Sequence, residues 1–110
     1  MSSHFHQVIA HYSVQPGEAE RVLELLADLT AASRAEPANL AYDYYRSPID
    51  ENHIVIIERY TDVAGFAAHR ASQHFQRIGL NQIIPLLASR TVEEYVPFEA
   101  QPAEASEKDA

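Results

Sequence analysis

Alternation of apolar side chains with other residues predicts four β-strands along the chain. The alternating segments are residues 5–14, 40–46, 53–60 and 91–98. Successive side chains of a strand point to opposite faces, so one face of the first segment carries Val8, Ala10, Tyr12 and Val14. Residues typical of turns or helices separate the segments, which indicates four distinct strands.

Apolar residues at helical spacing predict three helices between these strands. We expect them over residues 18–36, 62–71 and 73–84. The proline ring clashes with a continuing helix, so Pro37 and Pro85 mark two of the ends. Asp62 and Ser72 are suitable N-caps for the second and third helices.

The predicted order is therefore β-α-β-β-α-α-β. This order is typical of a ferredoxin-like α+β domain, in which helices cover one face of an antiparallel four-stranded sheet. The third strand is nevertheless apolar on both faces, with Ile54 and Ile56 opposite Val55 and Ile57. We expect the face without helices to pack against a second copy, giving a homodimer through the sheet faces.

Composition and charge narrow the class of function. The 110 residues carry a formal net charge of −8, which disfavours nucleic acid and anionic membranes as partners. The absence of cysteine excludes thiolate chemistry, and the three glycines form no nucleotide-binding loop. No apolar run or leader suggests a membrane or export, so we expect a cytoplasmic protein. One domain should cover residues 1–98, with an acidic, flexible tail over residues 99–110.

The segment between residues 36 and 75 carries the most specific pattern in the chain. It reads Glu36-Pro37-x-x-Leu40-x-Tyr42, then Ile57-Glu58-Arg59-Tyr60-x-Asp62, then Phe66-x-x-His69-x-x-Ser72-x-His74-Phe75. This pattern resembles the antibiotic biosynthesis monooxygenase family. The resemblance extends over residues 5–98, and the run 58–75 is its most diagnostic part.

The resemblance implies a dimeric α+β barrel with a pocket between the sheet and the helices of each subunit. Reactions in the family include cofactor-free oxidation of polycyclic phenols, quinol oxidation, haem degradation and isomerisation of a sugar phosphate. We therefore expect a monooxygenase that oxidises a small aromatic quinol or polycyclic phenol with O2, without a cofactor or metal. A non-oxidative isomerase or cyclase of the same fold, or a small-molecule-binding module without catalysis, is the alternative.

Several positions depart from the family pattern, and Tyr60 and Ile56 are among them. Many members have Trp where this chain has Tyr60, and the polyketide-oxidising members have Asn where it has Ile56. The mechanisms that depend on those two residues do not carry over to this chain.

The family arrangement implies a pocket that is mainly aromatic. Its expected lining is Tyr12, Tyr42, Tyr44, Ile56, Phe66 and Phe75. Such a surface suits a flat ring held by stacking. His69 and His74 are the candidate general bases, because imidazole can take a phenolic proton near neutral pH. The alternative is that both histidines are structural.

The third predicted strand carries two more polar candidates. Glu58 would act as a base or orient a histidine, or would instead form an ion pair with Arg46, Arg70 or Arg77. Tyr60 would donate its hydroxyl to a substrate carbonyl, or would fill the space of the missing Trp.

Histidines are also potential metal ligands. On a continuous helix, His69 and His74 would lie about 140° apart, and only a break at Ser72 would bring them together. The sequence shows no obvious carboxylate beside them, so we expect no metal site. His4 and His6, near the N-terminus, are expected at the surface.

Overall fold

The computed structural model describes residues 4–97 and contains the predicted order of elements. The strands are β1 His6–Val14, β2 Asn39–Arg46, β3 His53–Tyr60 and β4 Leu87–Tyr95. The helices are α1 Ala19–Arg34 and α2 Val63–Ala71, followed by a π-helix, Phe75–Ile83, and a 3₁₀ turn, Ile84–Leu86. The predicted acidic tail, residues 99–110, lies outside the described residues.

All strand pairs in the sheet are antiparallel. The spatial order is β2-β3-β1-β4, with β1 and β3 at the centre. The β1–β3 register pairs Ala10 with Ile56 and Val8 with Glu58, so these side chains share one face. The order and the pairing confirm the ferredoxin-like α+β class.

The core lies between one face of the sheet, here called the inner face, and the helices. On β1 this face carries Val8, Ala10, Tyr12 and Val14, all buried as the alternation predicted. The stripe of α1 that meets it includes Val22, Leu26 and Leu29, which are completely buried. Removal of this apolar surface from water is the main stabilising contribution of the fold.

The fourth strand starts earlier than the alternation predicted. It covers Leu87–Tyr95 instead of 91–98, and Phe98 lies outside the described residues. Pairing with β1 starts directly after the turn at Pro85, where the Gln15 backbone N–H donates to the carbonyl of Leu86 at 3.0 Å. As an edge strand, β4 is largely exposed on both faces, so its sequence shows no clear alternation.

The predicted third helix is not a regular α-helix. From Phe75 to Ile83 it is a π-helix, and the backbone N–H of Ile84 donates to Gly79 five residues earlier. The ring of Phe75 lies over Gly79, where a Cβ atom would come within 3.0 Å of it. π-Helical segments are rare and are frequently found at functional sites.

The second face of the sheet, here called the outer face, is not covered by any helix formed by residues 4–97. It presents Val55 and Ile57 of β3 together with Ile9 of β1, all only partly buried. Tyr45 of β2 is 57% exposed beside them. No helix within residues 4–97 is both long and apolar enough to span a bilayer.

Candidate active site

A small cavity lies between the inner face of the sheet and the segment that joins α2 to the π-helix. Its lining is Val8, Ala10, Tyr12, Tyr42, Glu58, Phe66, His69, Arg70, Phe75, Arg90 and Val92. About 20 Å³ is open to the centre of a water-sized molecule, which is room for about one water or one O2. A larger ligand has to displace part of the wall.

The cavity brings together four of the six predicted pocket residues. Tyr12, Tyr42, Phe66 and Phe75 line it. Ile56 is completely buried in the main core, and Tyr44 packs against that core without lining the cavity.

Helix α2 positions Phe66 and His69 towards the sheet. Its N-cap, Asp62, accepts a hydrogen bond from the backbone N–H of Gly65 at 2.9 Å, which fixes the first turn. Phe66 and His69 are three residues apart and therefore share a face, with ring centroids 6.2 Å apart. His69 is buried, so α2 holds its imidazole away from bulk water.

The helical conformation is interrupted after α2, and this interruption brings the two candidate histidines together. Ser72 has extended backbone angles, and its hydroxyl donates to the carbonyl of His69 at 2.6 Å. The same hydroxyl oxygen accepts from the backbone N–H of Phe75 at 3.2 Å. The ring of His74 then lies 6.0 Å from that of His69. A regular helix would have kept the two rings apart.

A carboxylate joins the two histidines, contrary to the expectation that none was near. Glu36 Oε2 lies 2.8 Å from Nδ1 of His69 and 2.5 Å from Nε2 of His74. Glu36 follows α1 in a turn, where its backbone N–H donates to Ser33 and its carbonyl accepts from Asn39. The turn directs a carboxylate from the far end of α1 into the site.

Glu58 has different partners from the arginines proposed for it. The hydroxyl of Tyr60 donates to Glu58 Oε1 at 2.5 Å, and His69 Nε2 lies 3.8 Å from the same oxygen. Within residues 4–97, Glu58 forms no ion pair with Arg46, Arg70 or Arg77, so that prediction is wrong. Arg46 pairs instead with an exposed glutamate on α1. Glu58 is buried in the interior of the protein, where its carboxylate contacts a buried tyrosine and a buried histidine.

Tyr60 lies behind the cavity and does not line it. Its ring is completely buried, 5.5 Å from that of Phe66 and 5.6 Å from that of His69. Its hydroxyl, already bonded to Glu58, is positioned to hold that carboxylate towards His69.

Burial shifts the proton equilibria of this group of residues. Burial raises the pKa of Glu58 to about 7, with a further rise from the charge of Glu36. Burial lowers the pKa of His69, and the hydrogen bond and charge of Glu36 oppose that decrease. Burial and the charge of Glu58 raise the pKa of Tyr60 far above its usual range. These shifts favour the neutral imidazole of His69 and the protonated hydroxyl of Tyr60 at neutral pH.

The contact with Glu36 also selects the tautomer of His69. A carboxylate oxygen only accepts hydrogen bonds, so the neutral imidazole places its proton on Nδ1 and donates it to Glu36. Nε2 then carries the lone pair, on the side of the ring that faces Glu58. This arrangement prepares Nε2 to accept a proton.

The same three residues have the donor atoms of a metal site. One oxygen of Glu36 and one nitrogen each from His69 and His74 lie within 4.8 Å of one another. Two histidines and a carboxylate can bind zinc or non-haem iron. Both nitrogens nevertheless lie at hydrogen-bond distance from one shared oxygen, so a carboxylate that accepts from two imidazoles explains the geometry.

His6 is buried, and its predicted surface location is wrong. Nε2 of His6 lies 2.7 Å from Glu94 Oε1, and the ring stacks on Phe66 with centroids 6.0 Å apart. His6 continues the inner face of β1 two residues before Val8, so the alternation itself contained the signal.

Five cavity residues were not among the predicted site residues: Val8, Ala10, Arg70, Arg90 and Val92. Arg90 and Val92 lie on the inner face of β4, where they pair with Tyr12 and Ala10 of β1. The edge strand has no clear alternation, so its sequence could not assign them to that face.

Comparisons with known proteins agree with this fold. The family model for antibiotic biosynthesis monooxygenase matches residues 6–79. "Putative monooxygenase YcnE" of Bacillus subtilis is 34% identical over 67 residues, which cover 61% of this chain and 70% of that protein.

Solved structures extend the likeness to most of the chain. PA3566 from Pseudomonas aeruginosa has a TM-score of 0.80 at 29% identity, over 90% of this chain and 98% of that one. Rv0793 from Mycobacterium tuberculosis has a TM-score of 0.79 at 28% identity, over 86% and 96% of the two chains. The match to the family model covers well over half of the sequence, so the chain belongs to the antibiotic biosynthesis monooxygenase family.

Proposed function

We propose that this protein is a monooxygenase that oxidises a small electron-rich phenol, such as a quinol or a polycyclic phenol, with O2 and without a cofactor. The observation that carries the proposal is the position of His69. Its Nδ1 lies 2.8 Å from the carboxylate of Glu36, and the residue lines a cavity together with aromatic side chains. Family membership supports the monooxygenase class, and the aromatic lining supports the substrate class.

The chemistry starts with proton transfer from the substrate hydroxyl to Nε2 of His69. The imidazolium that forms is stabilised by the carboxylate of Glu36 at 2.8 Å. The rings of Phe66 and Phe75 hold the phenolate plane by stacking. To admit that plane, the wall formed by the partly buried Phe75 and the exposed Arg70 and Arg90 has to move.

The phenolate then reduces O2 by one electron, and the two radicals combine at a ring carbon ortho or para to the oxygen. The peroxide anion that results takes back the proton from His69, and the hydroperoxide then loses its ring C–H proton as its O–O bond breaks. One oxygen atom remains as the new quinone carbonyl, and the other leaves as water. One phenol and one O2 thus give one quinone and one water, with no external reductant. The buried aromatic part of the cavity limits the access of bulk water to the radical pair.

A proton taken by His69 has a route to solvent. Glu36 Oε2 contacts both His69 Nδ1 and His74 Nε2, and the exposed fraction of the side chain rises from 2% at His69 to 20% at His74. When His74 is in the tautomer with its proton on Nδ1, the Nδ1 proton of the His69 imidazolium can pass to Glu36 Oε2 and then to His74 Nε2, and His74 releases its own Nδ1 proton to solvent. In this proposal His74 is a positioning and exchange residue, and His69 is the base.

The test is oxygen uptake with hydroquinone and naphthols, with isotopically labelled O2 to follow the incorporated atom. His69→Gln should lower turnover by about 10²–10⁴-fold, the usual contribution of a general base. Binding of the phenol under nitrogen should persist in this variant. The exposed His4→Gln is the matched control. Undiminished turnover in His69→Gln would overturn the assignment of the base. Proton exchange without oxygen uptake would favour the isomerase alternative.

The same proposal includes a homodimer formed through the outer face. Ile9, Val55 and Ile57 leave apolar surface on that face, and the helices all lie on the inner face. A second copy that presents the same face would bury this surface symmetrically.

A further inference from the structure

Two arginines line the cavity from different elements. Arg70 is on α2, and Arg90 is on the inner face of β4, paired with Tyr12 of β1. The guanidinium of Arg70 lies over the ring of Phe66, with its central carbon 4.7 Å from the ring centroid. Both side chains are exposed at the mouth, while the aromatic groups and His69 form the interior.

Neither arginine has a carboxylate partner within residues 4–97. Three other arginines do form ion pairs: Arg21 with Glu24, Arg34 with Asp43 and Arg46 with Glu20. The chain has 16 acidic residues against 8 basic ones, so carboxylates are abundant on its surface. Two unpaired guanidinium groups at one cavity therefore concentrate positive charge in an otherwise acidic protein.

The charge of both groups extends into the cavity. Burial raises the pKa of Glu58 and of Tyr12, and the charge of Arg90 opposes both increases. Burial lowers the pKa of His69, and the charge of Arg70 adds to that decrease. A negative group on a bound molecule would experience the same two charges.

We infer that the substrate is an aromatic acid, whose carboxylate binds Arg70 and Arg90 at the mouth while its phenol ring occupies the aromatic interior. A guanidinium group is planar and donates two parallel hydrogen bonds to a carboxylate, so it recognises both the charge and the shape. This inference rests on the proposed function for the location of the ring, and it specifies the substrate class of that site.

The test compares two ligands that differ only in the carboxylate. Gentisate is hydroquinone with one carboxylate, and binding of both is measured by calorimetry under nitrogen, where no oxidation occurs. We expect gentisate to bind at least about tenfold more tightly, because hydrogen bonds to charged groups exceed that difference in free energy. This preference should shrink as the salt concentration rises, since salt screens exposed charges.

Arginine variants then locate the recognition. Arg70→Gln and Arg90→Gln should each lower the ratio of gentisate to hydroquinone affinity by about tenfold, and Arg90→Lys should retain more of that ratio than Arg90→Gln. Arg77→Gln is the matched control. It also lacks an ion pair within the described residues, but it lies outside the cavity, and its ratio should stay at the wild-type value.

The outcomes separate this inference from the proposed function. Equal affinities, no binding of gentisate, or a ratio unaffected by Arg70→Gln and Arg90→Gln would overturn the inference. Oxidation of hydroquinone and gentisate with equal kcat/KM would overturn it while leaving the monooxygenase intact. A clear preference for gentisate under nitrogen, with no oxygen uptake in air, would support the inference and reject the oxidation.

Discussion

Glu36 shows how a single residue organises the candidate site. Its partners are 33 and 38 positions further along the chain, and one carboxylate oxygen accepts from both. The other oxygen, Oε1, is buried without a hydrogen-bond partner among the described residues. A buried acceptor without a partner lowers the free energy of unfolding. The charge of the Glu36 carboxylate and its two contacts with histidines offset this cost.

Glu36→Gln should therefore lower kcat with little change in KM. The amide still accepts one hydrogen bond from His69, but it has no charge to stabilise the imidazolium formed during turnover. A decrease of about tenfold to a hundredfold corresponds to the loss of one charged hydrogen bond. Steady-state oxygen uptake measures it, and Glu24→Gln, an exposed change on α1, is the matched control. A rise in KM at constant kcat would instead assign Glu36 to substrate binding.

Glu58 predicts a specific dependence of stability on pH. Its pKa is raised from 4.5 to about 7, chiefly by burial, so the folded protein keeps a proton that the unfolded chain releases between those values. The free energy of unfolding therefore falls as pH rises through this window, by up to about 3 kcal/mol, and stays low above about pH 7.

The lowered pKa of His69 has the opposite effect on the free energy of unfolding at pH values below 6.5, the usual pKa of histidine. The folded protein resists protonation of this imidazole, so stability rises with pH there. The variant Glu58→Gln separates the pH effect of Glu58 from that of His69, because His69 is present in both the wild type and the variant. Between about pH 5 and about pH 8 the variant should gain stability relative to wild type in urea unfolding. For the exposed control Glu51→Gln, the free energy of unfolding should change with pH as it does in wild type. The same parallel dependence for Glu58→Gln would show that the carboxyl group of Glu58 titrates normally.

At the scale of the elements, burial decides how well a pattern could be read. β3 has the predicted bounds, because its inner side chains are buried and its alternation is complete. β4 begins four residues earlier than predicted, because an exposed edge strand needs no alternation. The third helix has the predicted place but π-helical geometry, which depends on the fit of Phe75 over Gly79 and not on spacing alone.

The site was predictable in part for the same reason. Phe66 and His69 stand out because helical spacing places them on one face with a diagnostic motif around them. Glu36 could not be assigned, because its turn brings it to the histidines only in three dimensions. Arg90 could not be assigned, because its strand gave no indication of its inner face.

The packing of α2 on the sheet predicts a sensitive glycine. A Cβ at Gly65 would lie 2.8 Å from the Cβ of Ala38 and 3.1 Å from that of Tyr60, closer than carbon atoms pack. Gly65→Ala should lower the free energy of unfolding by about 1–3 kcal/mol, although alanine favours helices. Urea unfolding measures the loss. Adding Ala38→Gly should recover part of it, measured against Ala38→Gly alone. Equal stability of Gly65→Ala and wild type would show that α2 is free to shift outwards.

For the whole molecule, the two faces of the sheet have separate roles in this proposal. The inner face carries the cavity, and β4 leaves one side of that cavity open to solvent through Arg90 and Val92. The outer face carries the partly buried apolar side chains and a stacked pair of histidines, His11 and His53, with centroids 5.6 Å apart. A dimer formed on the outer face would leave the mouth of the cavity accessible to substrate.

Ile57→Asp tests that dimer directly. Ile57 pairs with Ile9 at the centre of the outer face, so a carboxylate there would be buried without a partner in the dimer and solvated in the monomer. We expect the wild type to sediment as a dimer and Ile57→Asp as a folded monomer. Ile49→Asp is the matched control, since Ile49 is 94% exposed on the β2–β3 connector, away from either face. A dimer that survives Ile57→Asp, or a wild-type monomer, would show that the apolar outer face is not the interface. Loss of the dimer in Ile57→Asp alone would identify the face, because the two variants add the same charge and remove the same side chain.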